Sequence, residues 1–354
     1  MKFTSNTLAA VVALAFAATS TTTEAFAPST TSTRSTQQWA TVSDEASTEF
    51  DLGEYVMSKQ PVLNAMLQDS VKSVDPPNTD LIAECMEYSL MAGGKRIRPV
   101  LCLAAAEMFA PSMEEAEAAA LPTATALEMI HTMSLMHDDL PSMDNDDLRR
   151  GKPTSHVVYG EDLAILGGDS MLSTSFQWIA EHTPRDKVDA ATILDIIVRV
   201  GDCVGNKGIV GGQVLDLLCE GRRGKRDVTV DDLKWIHEHK TGALLAASVS
   251  CGAILGGANK EEVDACEKFA LNIGLAFQIA DDILDVTAST EDLGKTAAKD
   301  LVADKTTYPK LLGLDGARAE AQRLTEEAKK ELEVFGDRAI PLLALADYII
   351  NRKN

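Results

Sequence analysis

The sequence has few aromatic residues and little of the alternation that β-strands require. Only 5% of its 354 residues are Phe, Trp or Tyr, although 45% are hydrophobic. Ala, Leu, Glu and Met are frequent, and runs of β-branched residues are few. This composition favours helices that pack on helices. With no strand pattern or internal repeat, the sequence predicts an all-α fold, one large helical domain.

Positive charge is also scarce. The 33 Lys and Arg residues face 54 Asp and Glu residues, which gives a formal net charge of −21. Such a charge opposes binding to nucleic acid or to an anionic membrane surface. Short basic groups nevertheless occur at residues 95–98 (KRIR) and 149–152 (RRGK). These groups are candidates for holding a small anion.

The cysteines do not form pairs with the spacing of a disulfide framework or a zinc site. They stand singly in apolar, helical surroundings, which indicates core thiols in a reducing compartment. The six positions are Cys85, Cys102, Cys203, Cys219, Cys251 and Cys266.

The first residues have the order of a targeting sequence. Lys2 precedes an apolar stretch at 8–18, too short for a comfortable membrane span, and small residues follow near Ala25, as in a signal peptide. A hydroxyl-rich segment with no acid until Asp44 then has the character of a transit peptide. The junction at 25–28 (AFAP) resembles the cleavage motif of bipartite plastid presequences in diatoms and related algae. We therefore expect a plastid presequence at 1–45 and one folded domain at 46–354; a plain secreted protein is the alternative, against which the unpaired cysteines argue.

Two acidic clusters each follow an apolar helical stretch. In residues 277–285 (FQIADDILD), Asp281 and Asp285 are four residues apart and project from one helix face. In residues 137–147 (HDDLPSMDNDD), Pro141 is expected to end the helix and let Asp144 turn back toward Asp138. Either cluster alone could be a solvated helix end. Two together, with no His or Cys partner, favour Mg²⁺ bridged to a phosphate ligand.

Basic residues near both clusters complete this hypothesis. Arg149 and Arg150 follow the first cluster, whereas Lys240, Lys295 and Lys305 lie near the second along the chain. Metal and cations together could neutralise one or more diphosphates, and a diphosphate neutralised in this way is a good leaving group.

At this point the chain resembles the trans-isoprenyl diphosphate synthases, specifically geranylgeranyl diphosphate synthases of the plastid type. The resemblance extends from Tyr55 to Asn354, so the folded domain is similar to a polyprenyl synthase domain. The motifs that carry it, in order, are 94–99 (GKRIRP), 138–144 with 149–151 (RRG), 239–242 (HKTG), 278–285, 294–295 (GK) and 304–305 (DK).

The resemblance implies a single large helical bundle of the isoprenoid synthase type with a central catalytic cavity, and with it a reaction and a set of site residues. An allylic diphosphate ionises, the double bond of isopentenyl diphosphate attacks the carbocation, and a proton is lost to the released diphosphate. The implied ligands of Mg²⁺, three ions in all, are Asp138, Asp139, Asp144, Asp281, Asp282 and Asp285. The implied contacts of the allylic diphosphate are Arg149, Lys240, Lys295 and Lys305, and those of isopentenyl diphosphate are Lys95, Arg98 and Arg150. The implied neighbours of the carbocation are Lys240, Thr241 and Gln278.

The resemblance also implies a homodimer, and because no side-chain nucleophile or base is needed, His131 and His137 are expected to be structural. Product length is expected to depend on Met133 and Ser134, which lie about one turn below Asp138 at about 1.5 Å per residue. The unbranched Met133 leaves depth for a twenty-carbon product.

Three other functions remain open from the sequence. A farnesyl diphosphate synthase would stop at fifteen carbons. A class I terpene cyclase generally has an Asn/Ser/Glu-type second metal motif, whereas this chain has a second aspartate motif. A non-catalytic regulatory subunit would be expected to have lost aspartates or basic contacts, which are intact here.

Overall fold

A computed structural model describes residues 50–287 and 306–351, which belong to one compact unit beginning at Phe50. The prediction of an all-α bundle is confirmed. The helices are α1 (Leu52–Ser70), α2 (Asp80–Leu90), α3 (Ile97–Phe109), α4 (Met113–Asp138), α5 (Ser155–Tyr159), α6 (Glu161–His182), α7 (Ala190–Val204), α8 (Ile209–Cys219), α9 (Val230–Ile236), α10 (Ala243–Gly256), α11 (Lys260–Thr287), α12 (Tyr308–Leu332) and α13 (Ile340–Asn351). A π-helical turn, His237–Gly242, joins α9 to α10, and a 3₁₀ segment, Glu333–Ala339, joins α12 to α13.

Helix α10 lies at the centre of the bundle and is buried on nearly every side. It packs against α3, α4, α7 and α11. Gly252 permits the closest approach, because a Cβ atom there would lie 2.1 Å from the carbonyl oxygen of Cys102 on α3. All six cysteines are free, and all except Cys219 are fully buried, so the prediction of core thiols is confirmed.

Helix α4 carries the first acidic cluster at its carboxyl end. It begins at Ser112, whose side chain accepts a hydrogen bond from the Glu115 amide. At the other end, His137 packs so closely on α6 that a Cβ atom on Gly168 would lie 2.1 Å from its Nε2 atom. The same nitrogen is 3.2 Å from the carbonyl oxygen of Ile165. His137 thus fastens the end of α4 to α6.

Two local features depart from the regular α-helices of the bundle. Strands β1 (Leu148–Arg149) and β2 (Lys152–Pro153) form a small antiparallel hairpin. Its two turn residues, Arg150 and Gly151, have φ values of 53° and 75°, and positive φ at both positions suits a two-residue hairpin. Strands of two residues are too short to leave a periodic pattern in the sequence. The other feature is the π-helical turn. It adds one residue to a helical turn without changing the local composition, so the sequence does not indicate it.

Within the described ranges, no helix combines the length and apolar character that a membrane crossing requires.

Candidate active site

The loop after α4 folds back over the end of the helix. Helix α4 ends at Asp138, three residues before Pro141. The amide of Asp144 then donates to the carbonyl of Asp138 (2.8 Å), and the amide of Asp146 donates to that of Asp139 (3.1 Å). The sequence predicted this return of Asp144 toward Asp138. It brings the two ends of the first cluster together at the top of α4.

Asp139, which the resemblance implies to be a metal ligand, is paired with Arg149. Nε of Arg149 donates to both carboxylate oxygens of Asp139, at 2.8 and 2.9 Å, and Nη2 of Arg149 makes a further short contact. The residue is only 3% exposed. Burial raises the pKa of Asp139, and the hydrogen bonds from Arg149 oppose that rise. Asp139 therefore engages a guanidinium, in a separate cavity that Arg149 and Arg150 also line.

Asp138 is half-buried, and nearby charged side chains of both signs act on its carboxylate. Burial raises its pKa to about 6, the positive charge of Lys240 lowers it, and the carboxylate of Asp144 raises it. Lys240 belongs to the π-helical turn, far along the chain. Because the charge of Lys240 acts on Asp138, the π-helical turn lies close to the end of α4.

The second cluster lines a cleft that encloses about 600 Å³ of empty space, counting the part open to solvent. Nζ of Lys240 lies 2.7 Å from a carboxylate oxygen of Asp216 on α8, in the wall of this cleft. The amide of Tyr308, at the start of α12, donates to Asp282 at 2.9 Å. The predicted site residues that line the cleft are Lys240, Thr241, Gln278, Asp281, Asp282 and Asp285.

Lys240 links the two clusters, because it lines the cleft of the second and its charge acts on Asp138 in the first. The structure thus brings together most of the predicted site. Lys295 and Lys305, predicted to contact the allylic diphosphate, lie outside the described residues.

A second basic group surrounds the start of α3. Arg96, with a left-handed backbone (φ 52°), donates to the buried carboxylate of Glu128 at 2.8 Å. Arg150 donates to the carbonyl of Gly93. Lys95 lies with Nζ 5.1 Å from the ring centroid of Tyr348 on α13.

His131 lies within reach of this basic group. Burial lowers its pKa, and so do the charges of the nearby arginines, of which Arg98 and Arg150 contribute most. A neutral imidazole beside arginines can hydrogen-bond a ligand without adding charge. The sequence interpretation expected His131 to be structural and did not place it beside the arginines. Its spacing from Asp138, seven residues or about two helical turns, puts both residues on one face of α4.

Helix α8 contributes two further residues that the sequence interpretation did not single out. One is Asp216, the partner of Lys240. The other is Gln213, one turn earlier on the buried side of α8 and only 7% exposed. Neither its amide nitrogen nor its amide oxygen has a hydrogen-bond partner in the part of the chain that the structure describes. Such a group is costly to bury, which is a common property of residues that face a ligand.

The predicted floor residues lie below Asp138 on α4. Met133 is buried within the main hydrophobic core. The hydroxyl of Ser134 donates to the carbonyl of His131 at 2.8 Å, so it is satisfied within the helix.

The donor set of the cleft fits magnesium rather than a transition metal. In residues 50–287 and 306–351, no three acidic, histidine or cysteine side chains converge closely enough to hold an ion by themselves. Magnesium is usually held by one or two carboxylates together with waters and substrate phosphates. Carboxylates on two neighbouring elements, with lysine and arginine beside them, match that pattern.

Comparison with known proteins gives consistent matches. The family model described as polyprenyl synthetase matches residues 79–336. A chloroplastic geranylgeranyl pyrophosphate synthase of Catharanthus roseus is 52% identical over 310 residues, covering 87% of this chain and 84% of the relative. A geranylgeranyl diphosphate synthase of Cyanophora paradoxa is 50% identical over 307 residues, covering 87% and 98%. The crystal structure of an FPP/GFPP synthase from Zymomonas mobilis superposes with a TM-score of 0.74 at 35% identity, covering 84% and 98%.

Proposed function

The chain belongs to the polyprenyl synthetase family, and we propose that it is a prenyltransferase that makes geranylgeranyl diphosphate. It condenses isopentenyl diphosphate with dimethylallyl, geranyl and farnesyl diphosphates in turn and releases diphosphate at each step. The observation that carries this proposal is the meeting of two aspartate clusters at Lys240. The relatives named as geranylgeranyl diphosphate synthases, about half identical over most of their length, support the product.

The allylic diphosphate binds between the two clusters. Asp138 and Asp144 on one side, and the second cluster on the other, would hold magnesium. When bound, magnesium would neutralise charge on the departing diphosphate. Lys240 and Arg149 hold diphosphate oxygens, since both are cations whose charges act on Asp138. Asp139 holds the guanidinium of Arg149 in place.

On the other side, Asp281, Asp282 and Asp285 would be the ligands, and the two clusters together would hold three magnesium ions.

The carbocation forms next to polar groups of the cleft wall. Thr241 and Gln278 line the cleft beside Lys240. Their oxygen dipoles stabilise developing positive charge, which an enclosed site makes more effective. Lys295 and Lys305 are proposed to add contacts to the diphosphate, on the family resemblance alone.

Isopentenyl diphosphate binds to the second basic group. Lys95, Arg98 and Arg150 supply the charges, and His131 supplies an uncharged hydrogen-bonding group between them. Separate positive sites for two diphosphates distinguish a condensation enzyme from a terpene cyclase, which binds one.

Purified protein with magnesium, labelled isopentenyl diphosphate and each allylic primer in turn tests this function. Extraction and chromatography of the dephosphorylated products should show a twenty-carbon alcohol from each primer. Failure to incorporate label with any primer would overturn the proposal. Consumption of geranylgeranyl diphosphate alone, with release of hydrocarbon, would instead identify a cyclase.

Product length is proposed to depend on the floor below Asp138. Met133→Tyr places a rigid aromatic ring where a flexible side chain now packs, so the main product should shorten from twenty to fifteen carbons. Ser134→Ala, at the other floor residue, keeps the side chain small and removes only a hydroxyl bonded within the helix, so it should leave the product unchanged and serves as the control for side-chain size. An unaltered product from Met133→Tyr would contradict the floor assignment.

A homodimer is proposed through α6 and α7. Both helices expose large apolar side chains, including Leu166 (56% exposed) on α6 and Leu194 (60% exposed) on α7. Exposed apolar patches commonly mark protein interfaces. Light scattering should give twice the mass of one chain, and Leu166→Asp with Leu194→Asp should reduce it to that of a monomer.

Plastid localisation is proposed from the presequence pattern at 1–45 and from the chloroplastic relatives. Fusion of these residues to a fluorescent protein in an alga with a complex plastid should direct the fluorescence to that organelle. Secretion of the fusion would contradict the proposal.

A further inference from the structure

The turn that follows α8 contacts the first aspartate loop from a distant part of the chain. Nη1 of Arg222 donates to the carbonyl of Ser142 at 2.7 Å, and Nη2 donates to the carbonyl of Met143. These two residues immediately precede Asp144. A guanidinium whose two terminal nitrogens bind successive carbonyls fixes both the position and the orientation of that backbone.

The aspartate loop has carbonyls to offer at this place because its internal hydrogen bonds use others. The carbonyls of Asp138, Asp139 and Leu140 accept from amides later in the loop. Those of Ser142 and Met143 instead accept from Arg222. The half of the loop nearest Asp144 therefore depends on a contact from outside.

Arg222 is itself held in position. It follows Gly221 (φ 84°), whose carbonyl accepts from the amide of Gly224 (φ 114°) at 3.0 Å. Positive φ values at both glycines allow the chain to reverse tightly after α8. Nε of Arg222 lies 3.3 Å from the carboxylate of Glu220. The guanidinium is thus directed at the loop by a short turn and a local ion pair.

Helix α8 also contacts the other half of the site, through the ion pair between Asp216 and Lys240. We propose that Arg222 is a positioning residue that sets the place of Asp144 relative to the second cluster, so that the end of α8 braces both halves of the cleft. This inference rests on the proposed role of Asp144. It also gives a role to Arg222, the first residue of the basic run at 222–226 (RRGKR), to which the proposed function assigns none.

Arg222→Ala tests the inference, with Arg223→Ala as the matched control. Arg223 is exposed, carries the same charge and makes no hydrogen bond or ion pair with any described residue. Calorimetry measures binding of magnesium with a bisphosphonate that mimics the allylic diphosphate, and steady-state kinetics gives KM for each substrate. Arg222→Ala should weaken bisphosphonate binding about tenfold, as expected for loss of a charge-assisted hydrogen bond. KM for the allylic substrate should rise by a similar factor while KM for isopentenyl diphosphate stays unchanged.

Arg222→Lys should give an intermediate result, because an ammonium group cannot place a rigid fork over both carbonyls. Equal behaviour of Arg222→Ala and Arg223→Ala would overturn the inference, and so would an equal rise in both KM values. Asp144→Asn separates the two proposals. If it binds the bisphosphonate as well as the unaltered protein does, the role of Asp144 fails; if it binds weakly while Arg222→Ala binds normally, only the role of Arg222 fails.

Discussion

The two aspartate clusters differ in how the chain holds them. The second cluster stands on one continuous helix, α11, so its carboxylates inherit their spacing from helical geometry. The first cluster stands at a helix end and on the loop beyond it. Its geometry depends on backbone hydrogen bonds, on Arg149 and on Arg222.

This difference shows two ways to present carboxylates to one ligand. A helix fixes the spacing of its carboxylates by its own geometry, and here the amide of Tyr308 adds one contact to Asp282. A loop supplies carboxylates from residues six apart, and it needs partners from other elements to stay in place. We therefore expect substitutions around the first cluster to act through many residues, and those in the second through the ligands themselves.

The largest expected effect is at Asp138, which is half-buried and on which the charge of Lys240 acts more strongly than that of any other residue. Asp138→Asn should lower kcat/KM by about 10³, the scale of losing a main electrostatic contact in an active site. Asp285→Asn, near the exposed end of α11, should lower it by about tenfold to hundredfold. Steady-state assays with farnesyl and isopentenyl diphosphates make the comparison. Equal losses would remove the proposed distinction between the clusters.

Arg149→Lys should have the next largest effect. Lysine keeps the charge but cannot bind both oxygens of Asp139 through a planar fork, so kcat/KM should fall about tenfold to hundredfold. Lys152→Arg, an exposed change in the same hairpin, should leave kcat/KM unaltered. A normal rate for Arg149→Lys would show that the first cluster needs only charge at this position.

Gln213→Leu should separate stability from activity. Removing a buried amide that has no hydrogen-bond partner among the described residues should raise the free energy of unfolding by about 1 kcal/mol or more. If the amide faces the substrate, kcat should fall about tenfold at the same time. Urea unfolding and steady-state kinetics measure the two quantities, with the exposed Gln177→Leu on α6 as control. A stable variant with full activity would assign Gln213 to packing alone.

The smallest expected effect concerns pH. The pKa of Asp138 is raised from 3.8 to about 6 in the folded protein, so the folded state keeps a proton that the unfolded chain has released. The carboxylate therefore destabilises the fold above about pH 6, and this penalty disappears below about pH 4. With EDTA present, Asp138→Asn should be more stable than the unaltered protein by about 1–2 kcal/mol at pH 7.5, after allowance for partial exposure. At pH 4 the two proteins should be equally stable. If urea unfolding gave the same difference in stability at both pH values, the raised pKa of Asp138 would be contradicted.

The sequence was sufficient to predict the fold and the grouping of six predicted site residues around one cleft, because both depend on local patterns. Helical periodicity identified the bundle, and the spacing of Asp281 and Asp285 placed them on one face. Pro141 correctly marked the end of α4. Such features follow from neighbours in the chain.

Contacts between distant segments could not be predicted in this way. Nothing in the sequence near Asp139 shows that it binds Arg149 with both oxygens, and Arg222 is 80 residues from Ser142. The two glycines around Arg222 indicated a turn but not its partner. The arginine neighbours of His131 could not be predicted for the same reason, since they come from the start of α3 and from the β-hairpin.

The π-helical turn at His237–Gly242 has one more consequence. An α-helix advances about 100° per residue, so one inserted residue changes the angular phase of everything that follows it. Helices α9 and α10 therefore meet the bundle with different faces although they are almost continuous in sequence. Shortening this turn by one residue would restore an ordinary helix and swing Lys240 and Thr241 around the axis, away from Asp216 and the cleft. The positions of Lys240 and Thr241 in the cleft thus depend on the length of this segment.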